Sequence, residues 1–532
     1  MKKGTVLIAL AGILLLGGFL RFYQITEIPL GLFSDEAMNG NNALEAWETG
    51  RFKVFYPENN GREGLFIMLQ AFALRLLANE AWALRLVSAL AGTLTILGMY
   101  LVAKELVRNS RAETVALLAA FFTATSYWHI NFSRLGFRAI LVPLCATFAL
   151  FFLLKGLRKE TAIHLIIGGI ITGLGFYTYI AFRFMPFVML VPLVGFLTKK
   201  KTGQSCAPCL IMLFIFIALL TALPLGYYFL QHPQDFIGRT QQISIFAAVS
   251  PLKEFLKSSA LTVQMFFWRG DCNWRHNYAC APQLNPIVAL FFLAGITALW
   301  RLRKSDFIKK WTLVAWLIAM SLPVILTSEG LPHALRSIGM IPPVMILAAL
   351  GVYHFAALVL LWLERKKAQQ PGNERQLRRI QKEFLILLAA ALLFIPLATY
   401  RTYFFRWAGH PETYFALSTD VFHLGQFLKG LPETTQKIVV TDVPWPRLRE
   451  IGAPAQTVMF VTDTFIDDHR RAKNFEYLTV EEFLNRTPLP RNTTILVALL
   501  NDAPRHLAQR IQKKFPEFQI KVPGDFIVLQ NY

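Results

Sequence analysis

Charged residues are scarce in this chain of 532 residues, of which Asp, Glu, Lys and Arg make up only 16%. A soluble globular protein carries about 25% charged residues, so the shortage excludes an ordinary soluble enzyme of this length. Acidic residues are scarcer than basic ones, 33 against 54, and the formal net charge is +21. Five cysteines are too few for a disulfide-rich secreted scaffold.

Apolar residues take the place of the missing charge: hydrophobic residues make up 55% of the chain and the mean hydropathy is +0.43. A helix that spans a bilayer needs roughly 20 apolar residues, so the sequence predicts a polytopic α-helical membrane protein. The shorter apolar segment 65–78 is predicted to lie in the membrane interface or to dip partway. The first apolar segment has no small-residue cleavage site after it and is predicted to be retained. Eleven spans are predicted, at about 5–21, 82–103, 114–128, 139–154, 163–181, 184–198, 208–230, 286–300, 311–327, 338–363 and 384–404.

The distribution of Lys and Arg predicts the orientation of these spans. With the N-terminus in the cytoplasm, the segments on that side hold 23 Lys and Arg, whereas the short outer loops 129–138, 182–184 and 328–337 hold four Arg and no Lys. The net positive charge is therefore mostly an orientation signal and gives little support to nucleic-acid binding. We expect a multi-pass protein of the cell's inner (plasma) membrane.

Two domains are predicted along the chain. Residues 1–404 form the membrane domain, with outer loops at 22–81 and 231–285. After residue 405 the pattern changes to short strands and a helix, which predicts a small soluble α/β domain at 405–532, outside the cytoplasm. Its predicted strands are Lys437–Thr441, Thr494–Leu499 and Asp525–Leu529, and its predicted helix is Ala503–Phe515.

Asp35 and Glu36 are adjacent carboxylates in the polar stretch that follows the first span. A charge in contact with lipid is costly, so such residues normally face water or a lined cavity and take part in chemistry or transport. The other interpretation is an ordinary helix N-terminus at Ser34–Glu36, where acids are favoured by the helix dipole. The residues alone leave both interpretations open.

Further polar side chains collect in the loops on the outer side of the membrane. Each arginine could simply extend to lipid phosphates, but their convergence favours a site, because a guanidinium binds phosphate oxygens in a two-pronged way that lysine cannot. The residues concerned are Arg62 and Glu63; Arg134 and Arg138; Tyr177, Tyr179 and Arg183; Asp271, Trp274, Arg275 and His276; and Glu329, His333 and Arg336.

A cavity with arginines near the lipid headgroups and carboxylates further out suits a polyprenyl-phosphate sugar, whose tail is apolar and whose phosphate lies at the interface. Transfer of its sugar needs a base for the acceptor's proton and cations for the departing phosphate. A flippase or transporter of lipid-linked sugars would use the same groups. A third interpretation, a cell-surface scaffold, leaves the outer arginines without a purpose.

Four of the cysteines fall into two pairs. Cys272 and Cys280 lie together in an outer loop, where an oxidising compartment would allow a disulfide; the sequence leaves that bridge open. Cys206 and Cys209 lie on or near the cytoplasmic face, without the second pair of ligands that a structural zinc site requires.

Taken in order, several of these motifs resemble the GT-C superfamily of bacterial membrane glycosyltransferases, and most closely its protein O-mannosyltransferases and lipid A aminoarabinose transferases. The resemblance covers roughly residues 1–404. The segments that carry it are Ser34–Ala37, Arg62–Phe66, Ser133–Arg138, Tyr177–Tyr179 with Arg183, Asn273–Asn277 and Glu329–Arg336.

The resemblance implies transfer of a sugar, with inversion at its anomeric carbon, from a polyprenyl-phosphate carrier to a protein, lipid or glycan acceptor outside the cytoplasm. It assigns the role of catalytic base to Asp35, with Glu36 beside it. The arginines predicted to bind the carrier phosphate are Arg62, Arg134, Arg138, Arg183 and Arg336. The remaining candidates for substrate binding are Glu63, Tyr177, Tyr179, Asp271, Trp274, Arg275, His276, Glu329 and His333. Tyr177 and Tyr179 could instead belong to the aromatic belt at the membrane surface.

The chain departs from the family pattern at one place that bears on metals. Many members carry a second acid in the next outer loop, sometimes with a divalent metal, whereas the loop His129–Arg138 has no carboxylate. We therefore expect a mechanism that requires no cofactor, although Asp271, His276, Glu329 or His333 could supply metal ligands together with Asp35.

Overall fold

The structure is a computed structural model that describes residues 2–108, 112–198, 206–301, 307–441, 447–448, 451–486, 494–500 and 506–531. Contacts divide the chain into two compact units. The first, called the membrane unit below, comprises Met1–Tyr23 and Ser88–Trp407. The second, called the α/β unit, comprises Gln24–Val87 and Ala408–Tyr532.

The helices follow one another along the chain as α1 (Lys3–Phe22), α2 (Ser34–Thr49), α3 (Gly64–Leu76), α4 (Ala81–Val107), α5 (Ala112–Thr125), α6 (Tyr127–Arg134), α7 (Leu141–Lys159), α8 (Ala162–Gly175), α9 (Met185–Leu197), α10 (Ala207–Gln231), α11 (Pro233–Ile243), α12 (Pro251–Phe267), α13 (Pro286–Trp300), α14 (Phe307–Ile325), α15 (Ile341–Gln369), α16 (Glu374–Tyr400), α17 (Pro411–Ala416), α18 (Thr419–Lys429), α19 (Ala455–Thr462), α20 (Asp467–Ala472), α21 (Val480–Asn485) and α22 (His506–Lys514). A π-helical turn, Arg401–Trp407, continues α16. The strands are β1 (Phe55–Tyr56), β2 (Arg62–Glu63), β3 (Gln436–Thr441), β4 (Arg447–Leu448), β5 (Ile451–Gly452), β6 (Phe475–Thr479), β7 (Ile495–Leu500), β8 (Phe518–Lys521) and β9 (Ile527–Asn531).

The predicted fold class is confirmed: the chain is mostly helical, with membrane-spanning helices and a small C-terminal sheet. Within the described residues, eight helices are long and apolar enough to cross a membrane. Each coincides with one of the eleven predicted spans. The other three predicted spans coincide with shorter apolar helices, α5, α8 and α13, so the total of eleven stays a prediction. The predicted interfacial segment is the short helix α3.

Close backbone contact between α13 and α15 depends on two glycines. A Cβ on Gly295 would lie 1.8 Å from the carbonyl oxygen of Leu347, and one on Gly351 would lie 1.8 Å from that of Phe291. Between membrane helices, where lipid removes the hydrophobic driving force, small residues allow the close approach that gives dispersion energy. These two glycines therefore fix the spacing of α13 and α15.

The α/β unit contains a five-stranded sheet in the order β6-β3-β7-β9-β8. Strands β6, β3 and β7 are parallel, whereas β9 runs antiparallel to β7 and β8 antiparallel to β9. Strand β7 is buried along its whole length because apolar side chains cover both faces of the sheet. Helices α18 and α19 supply the residues packed on one face, and α21 and α22 those on the other. The predicted strands are confirmed. The predicted helix starts at Ala503, and residues 501–505 lie outside the described residues. The described part of that helix is α22.

The segment that follows α1, residues 24–87, is part of this same unit. Phe460 of α19 packs in one apolar cluster with Ala37 and Ala43 of α2 and Leu84 of α4. The Thr457 hydroxyl also donates a 2.9 Å hydrogen bond to the Leu32 carbonyl. The boundary at Trp407 and Ala408 is close to the predicted one at residue 404, but residues 24–87 join the C-terminal residues, a pairing that sequence analysis did not predict.

Candidate active site

Asp35 and Glu36 lie in the first turn of α2, where the partial positive charge of a helix N-terminus favours acids. The N-cap residue is Phe33, which forms no side-chain cap, so Ser34 does not cap this helix. The two carboxylates differ in exposure: Asp35 is partly exposed and accepts a 2.8 Å hydrogen bond from Asn59 Nδ2, whereas Glu36 is completely buried. Asp35 is therefore the acid of this pair that a ligand can reach.

Glu36 is paired with Arg85, a residue that sequence analysis did not single out. Arg85 Nε lies 3.0 Å from Glu36 Oε2, and Nη2 lies 3.2 Å from Oε1. The same guanidinium donates to the carbonyl oxygens of Pro29 at 2.6 Å and Gly31 at 2.7 Å. This two-pronged pair fixes the segment that leads into α2 and thereby positions Asp35. The available signal was an arginine inside a predicted apolar span, where a charge needs a partner.

Arg62 is also engaged inside the α/β unit. Its side chain is 1% exposed, and it donates to Asn39 Oδ1 at 2.9 Å and to Asn42 Oδ1 at 2.6 Å. Arg62 therefore ties the β1–β2 hairpin to α2, next to the buried Glu63. The guanidinium lies 5.8 Å from the centre of the Tyr56 ring. Burial raises the pKa of Tyr56, so its phenol remains neutral at physiological pH.

Arg134 holds the end of α1 in the membrane unit. Its side chain is completely buried, and its Nη groups donate to the carbonyl oxygens of Arg21 and Tyr23, both at 2.8 Å, and of Leu20 at 3.3 Å. The last carbonyls of a helix have no partner within the helix, so Arg134 supplies the donors that they lack. Arg21, equally buried, donates in the same way to Thr123 and Ala124 near the end of α5. Sequence analysis did not select Arg21.

Arg183 and Arg336 line a cavity of about 410 Å³ in the membrane unit. Arg183 donates to the Phe236 carbonyl at 3.2 Å and lies 4.2 Å from the centre of that residue's ring. Arg336 donates to Thr327 Oγ1 at 3.0 Å and to the Glu329 carbonyl at 2.7 Å. The described lining includes no acidic side chain, and most of it is apolar, with Phe184, Phe187, Phe236, Phe246, Leu322 and Leu326.

The two tyrosines of the motif Tyr177–Tyr179 have different surroundings. The Tyr177 hydroxyl donates to the Thr221 carbonyl at 3.0 Å and accepts from the Leu225 N–H at 3.2 Å. It thus bridges two groups of α10 beside Pro224, which lies inside that helix and has no N–H to donate to it. Tyr179 instead lines the cavity, and the Arg138 guanidinium carbon lies 5.3 Å from the centre of its ring. Tyr177 therefore stabilises a helix, and Tyr179 is available to a ligand.

Two loops that were predicted to lie on the outer side meet at Asp271. Its Oδ1 accepts the Asn273 N–H and its Oδ2 accepts the Ala334 N–H, both at 2.8 Å. Oδ2 also lies 2.9 Å from His276 Nδ1 and 3.9 Å from His333 Nδ1. The disulfide that the sequence left open, Cys272–Cys280, is present in the structure and closes the first of these loops. Cys206 and Cys209 are joined as well.

The remaining candidates in these loops serve mainly as supports. Trp274 packs edge-on against Tyr278, and its carbonyl accepts a 2.7 Å hydrogen bond from Trp407 Nε1. Arg275 donates from Nε to Asn273 Oδ1 at 3.2 Å. Glu329 is exposed, and its main-chain carbonyl holds Arg336.

The sequence and the fold are similar to those of known membrane proteins. The family model of dolichyl-phosphate-mannose-protein mannosyltransferases matches residues 65–228. Over the whole chain, the structure is similar to that of ArnT from Cupriavidus metallidurans bound to undecaprenyl phosphate, with 13% identity, 99% of that chain covered and a TM-score of 0.61. It is also similar to the oligosaccharyltransferase AglB from Archaeoglobus fulgidus in complex with an inhibitory peptide and a dolichol-phosphate, with 13% identity, 74% of that chain covered and a TM-score of 0.51. A search of curated proteins gives no match.

The fold is that of the GT-C membrane glycosyltransferases, and the resemblance predicted from the motifs is confirmed. Within that class the chain is similar to the protein mannosyltransferase and ArnT type. The family match and the fold together indicate a glycosyltransferase that crosses the membrane several times.

Proposed function

We propose that this protein is an inverting glycosyltransferase that moves a sugar from a polyprenyl-phosphate carrier to an acceptor outside the cytoplasm. The observation that carries the proposal is the cavity lined by Arg183 and Arg336. An apolar groove accommodates a prenyl tail, and guanidinium groups bind its phosphate with directed hydrogen bonds. A solved structure of the same fold contains undecaprenyl phosphate, which agrees with this choice of lipid.

The transfer is a single displacement at the anomeric carbon. The acceptor's oxygen forms the new bond to that carbon while its proton passes to the Asp35 carboxylate. The bond from the carbon to the phosphate oxygen breaks, and its electron pair leaves with the prenyl phosphate. Arg183 and Arg336 stabilise the charge that develops there, which is the usual contribution of fixed cations to such a step.

The buried residues around Asp35 have positioning roles in this proposal. Glu36 is sequestered by Arg85, so it acts through the geometry of the first turn of α2 and not on the substrate. Asn59 donates to Asp35 Oδ1 and leaves Oδ2 for the acceptor hydroxyl. Arg62 and Arg134 stabilise the fold around them, and the carrier phosphate is assigned to Arg183 and Arg336, with Arg138 beside Tyr179.

The test is to incubate the purified chain with a panel of radiolabelled polyprenyl-phosphate sugars and to measure release of the carrier with and without candidate acceptors. We expect Asp35→Asn to lower the rate of transfer about 10²- to 10⁴-fold, because the base is lost, while binding of the lipid-linked donor is retained. Arg183→Gln should instead weaken donor binding.

Matched controls are available for both variants. Asp468 is an exposed acid in the first turn of α20, so Asp468→Asn should leave transfer unchanged. Arg379 is an exposed arginine of α16, so Arg379→Gln should leave donor binding unchanged. Normal turnover by Asp35→Asn would refute the assignment of the base. Passage of labelled lipid across a vesicle membrane without any sugar transfer would favour the alternative, a flippase.

A further inference from the structure

Another cavity, of about 200 Å³, lies in the membrane unit apart from the one that Arg183 and Arg336 line, and the two linings share no residue. It is lined mainly by the ends of α5 and α16, the start of α13 and the loop that precedes α13. We infer that this cavity binds an uncharged glycerolipid with a free hydroxyl group, of the diacylglycerol type. The inference concerns a separate binding site and does not depend on the proposed transfer reaction.

The side chain of Gln283 lines the cavity although the residue is only 4% exposed. Within the described part of the chain, neither its amide nitrogen nor its amide oxygen has a hydrogen-bond partner. A buried amide without partners costs free energy, so such groups are nearly always paired in folded proteins. Because the amide both donates and accepts, a ligand that serves both of its atoms must accept and donate in turn, as a hydroxyl group does.

A tyrosine hydroxyl adds a donor to the same cavity. Tyr127 is the first residue of α6, and its buried hydroxyl oxygen also lacks a partner among the described residues. Other polar side chains of the lining are already engaged: Thr399 Oγ1 donates to the Thr125 carbonyl at 2.8 Å, and Asn285 Oδ1 accepts a main-chain N–H at 3.0 Å. Gln283 and Tyr127 therefore offer an amide and a phenol, which suit a hydroxyl group and a neighbouring ester carbonyl.

The charge of the lining selects against an ionic ligand. None of the described residues around the cavity is acidic or basic. A phosphate or an ammonium group buried there would lose its hydration without gaining a counter-ion, which is costly. This distinguishes the cavity from the arginine-lined one proposed for the polyprenyl phosphate, and it favours an uncharged lipid over a phospholipid.

The position of the cavity fits the glycerol backbone of a lipid. Three apolar helices end or begin at its lining: α5 ends at Thr125, α13 begins at Pro286, and α16 ends one residue after Thr399. All three of these ends are predicted to lie on the outer side of the membrane. The ends of membrane helices lie near the boundary between hydrocarbon and headgroups, which is the level of the ester groups of glycerolipids.

Helix α16 provides an apolar path for the acyl chains. Its lining residues Ile395 and Thr399 are four positions apart and share one face of the helix. The neighbouring Phe394 and Leu397 are exposed, so chains that leave the cavity here lie against apolar side chains. Thr402, in the π-helical turn that continues α16, also lines the cavity. Such turns are frequent at functional sites.

The experiment uses the full chain in nanodiscs of phosphatidylcholine, a lipid without a free hydroxyl group. A diacylglycerol with a photoactivatable diazirine in one acyl chain is added, and after irradiation the labelled peptides are identified by mass spectrometry. We expect saturable labelling within residues 277–288 or 395–402. Unlabelled dioleoylglycerol should abolish the labelling, whereas dioleoylphosphatidylglycerol and undecaprenyl phosphate at the same concentration should not, because both are charged.

Two variants remove the polar groups singly. Gln283→Leu should weaken diacylglycerol binding about tenfold, because its hydrogen bonds to the ligand are lost. The fold should be retained, since the exchange also removes a buried amide without partners. Tyr127→Phe should weaken binding to a smaller extent. Gln426→Leu is the matched control: Gln426 is exposed on α18 in the α/β unit, and its loss should leave binding unchanged.

Gel filtration establishes that each variant is folded before its binding is compared with that of the wild type. Labelling that does not saturate, as expected of a cavity that takes up water only, would overturn the proposal. Equal competition by the two charged lipids would also overturn it, as would a folded Gln283→Leu protein that binds diacylglycerol as tightly as the wild type.

Discussion

The most deeply buried arginine side chains of this protein donate hydrogen bonds to oxygen atoms that folding has removed from water. Arg85, Arg62 and Arg134 are at most 2% exposed, and their donors reach carboxylate, amide and main-chain oxygens in turn. A guanidinium presents five donors in a rigid plane, so one residue can hold several acceptors at once. This explains why the arginines of the predicted outer loops need not all bind substrate.

The sequence identified most of these arginines but could not predict their partners. Arg134 donates to the main chain of Arg21, 113 residues earlier, and Arg85 pairs with Glu36, 49 residues earlier. Local patterns carry no information about contacts of this separation. Asp35 was selected as the base only through the family resemblance, because the residues alone do not tell which of Asp35 and Glu36 stays accessible.

At the scale of single residues, we predict that Glu36→Gln strongly lowers the thermal stability of the protein. Removing one member of a buried ion pair leaves the other charge without compensation, which costs about 3–5 kcal/mol. The double variant Glu36→Gln with Arg85→Met should recover part of the loss, because neither charge then remains. Thermal unfolding of the detergent-purified protein, followed by tryptophan fluorescence, measures both.

The exposed pair Arg379–Glu383 provides the comparison. Arg379→Met should change stability by less than about 1 kcal/mol, since surface pairs contribute little. A Glu36→Gln variant that unfolds at the wild-type temperature, yet no longer transfers sugar, would show that Glu36 acts on the substrate and not as a support for Asp35.

Among the elements, the membrane helices were the most predictable part of the fold. Each predicted span rests on a run of 15 to 26 mostly apolar residues, a signal contained within the element itself. The helices of the predicted outer loop 231–285, α11 and α12, were not predicted, because they are short and their apolar residues do not form one continuous run. The bridge from Tyr177 to α10 was also missed, since it joins residues 44 and 48 positions apart.

The contact of α13 with α15 gives a prediction for these elements. Gly295→Val should lower stability by about 1–3 kcal/mol or prevent assembly, because the new side chain meets the Leu347 carbonyl, and backbone cannot move aside cheaply. The fraction of protein that elutes as a single folded species from gel filtration, and its unfolding temperature, report the effect.

Gly226 of α10 is the matched control, because a Cβ there would meet nothing within 4 Å. Gly226→Val places the same side chain in a membrane helix without a neighbour and should change little. Equal behaviour of the two variants would mean that α13 and α15 are not in close backbone contact.

On the scale of the whole molecule, the start of the C-terminal domain at residue 405 stays a prediction, and the sequence did not predict that residues 24–87 join the C-terminal residues in one unit. The change from long apolar runs to short strands near residue 405 is visible in the sequence. That residues 24–87 pack with α18 and α19 depends on contacts such as Asn41 with Gln456, which are 415 residues apart. No local pattern encodes that pairing.

We therefore predict that Phe460→Ala loosens residues 24–87 although they lie far away in sequence. Phe460 is 1% exposed and packs directly against Gly40, so its truncation should cost about 3–5 kcal/mol. Faster tryptic cleavage at Arg51 and Lys53, which are exposed on the connection between α2 and β1, would report the loosening. Phe415→Ala, at a residue 66% exposed in the same unit, should leave the cleavage rate unchanged.

The 2.9 Å hydrogen bond from Thr457 to the Leu32 carbonyl has a consequence for biogenesis. A ribosome adds about 5–20 residues per second, so the partner of Leu32 is made tens of seconds after Leu32 itself. Throughout that interval α3 and α4 can pack against the helix that bears Asp35, but the part of its apolar side that packs against Phe460 of α19 lacks its partner. The nascent chain is then exposed to proteases and to aggregation, and holdase chaperones are a natural means of protecting it.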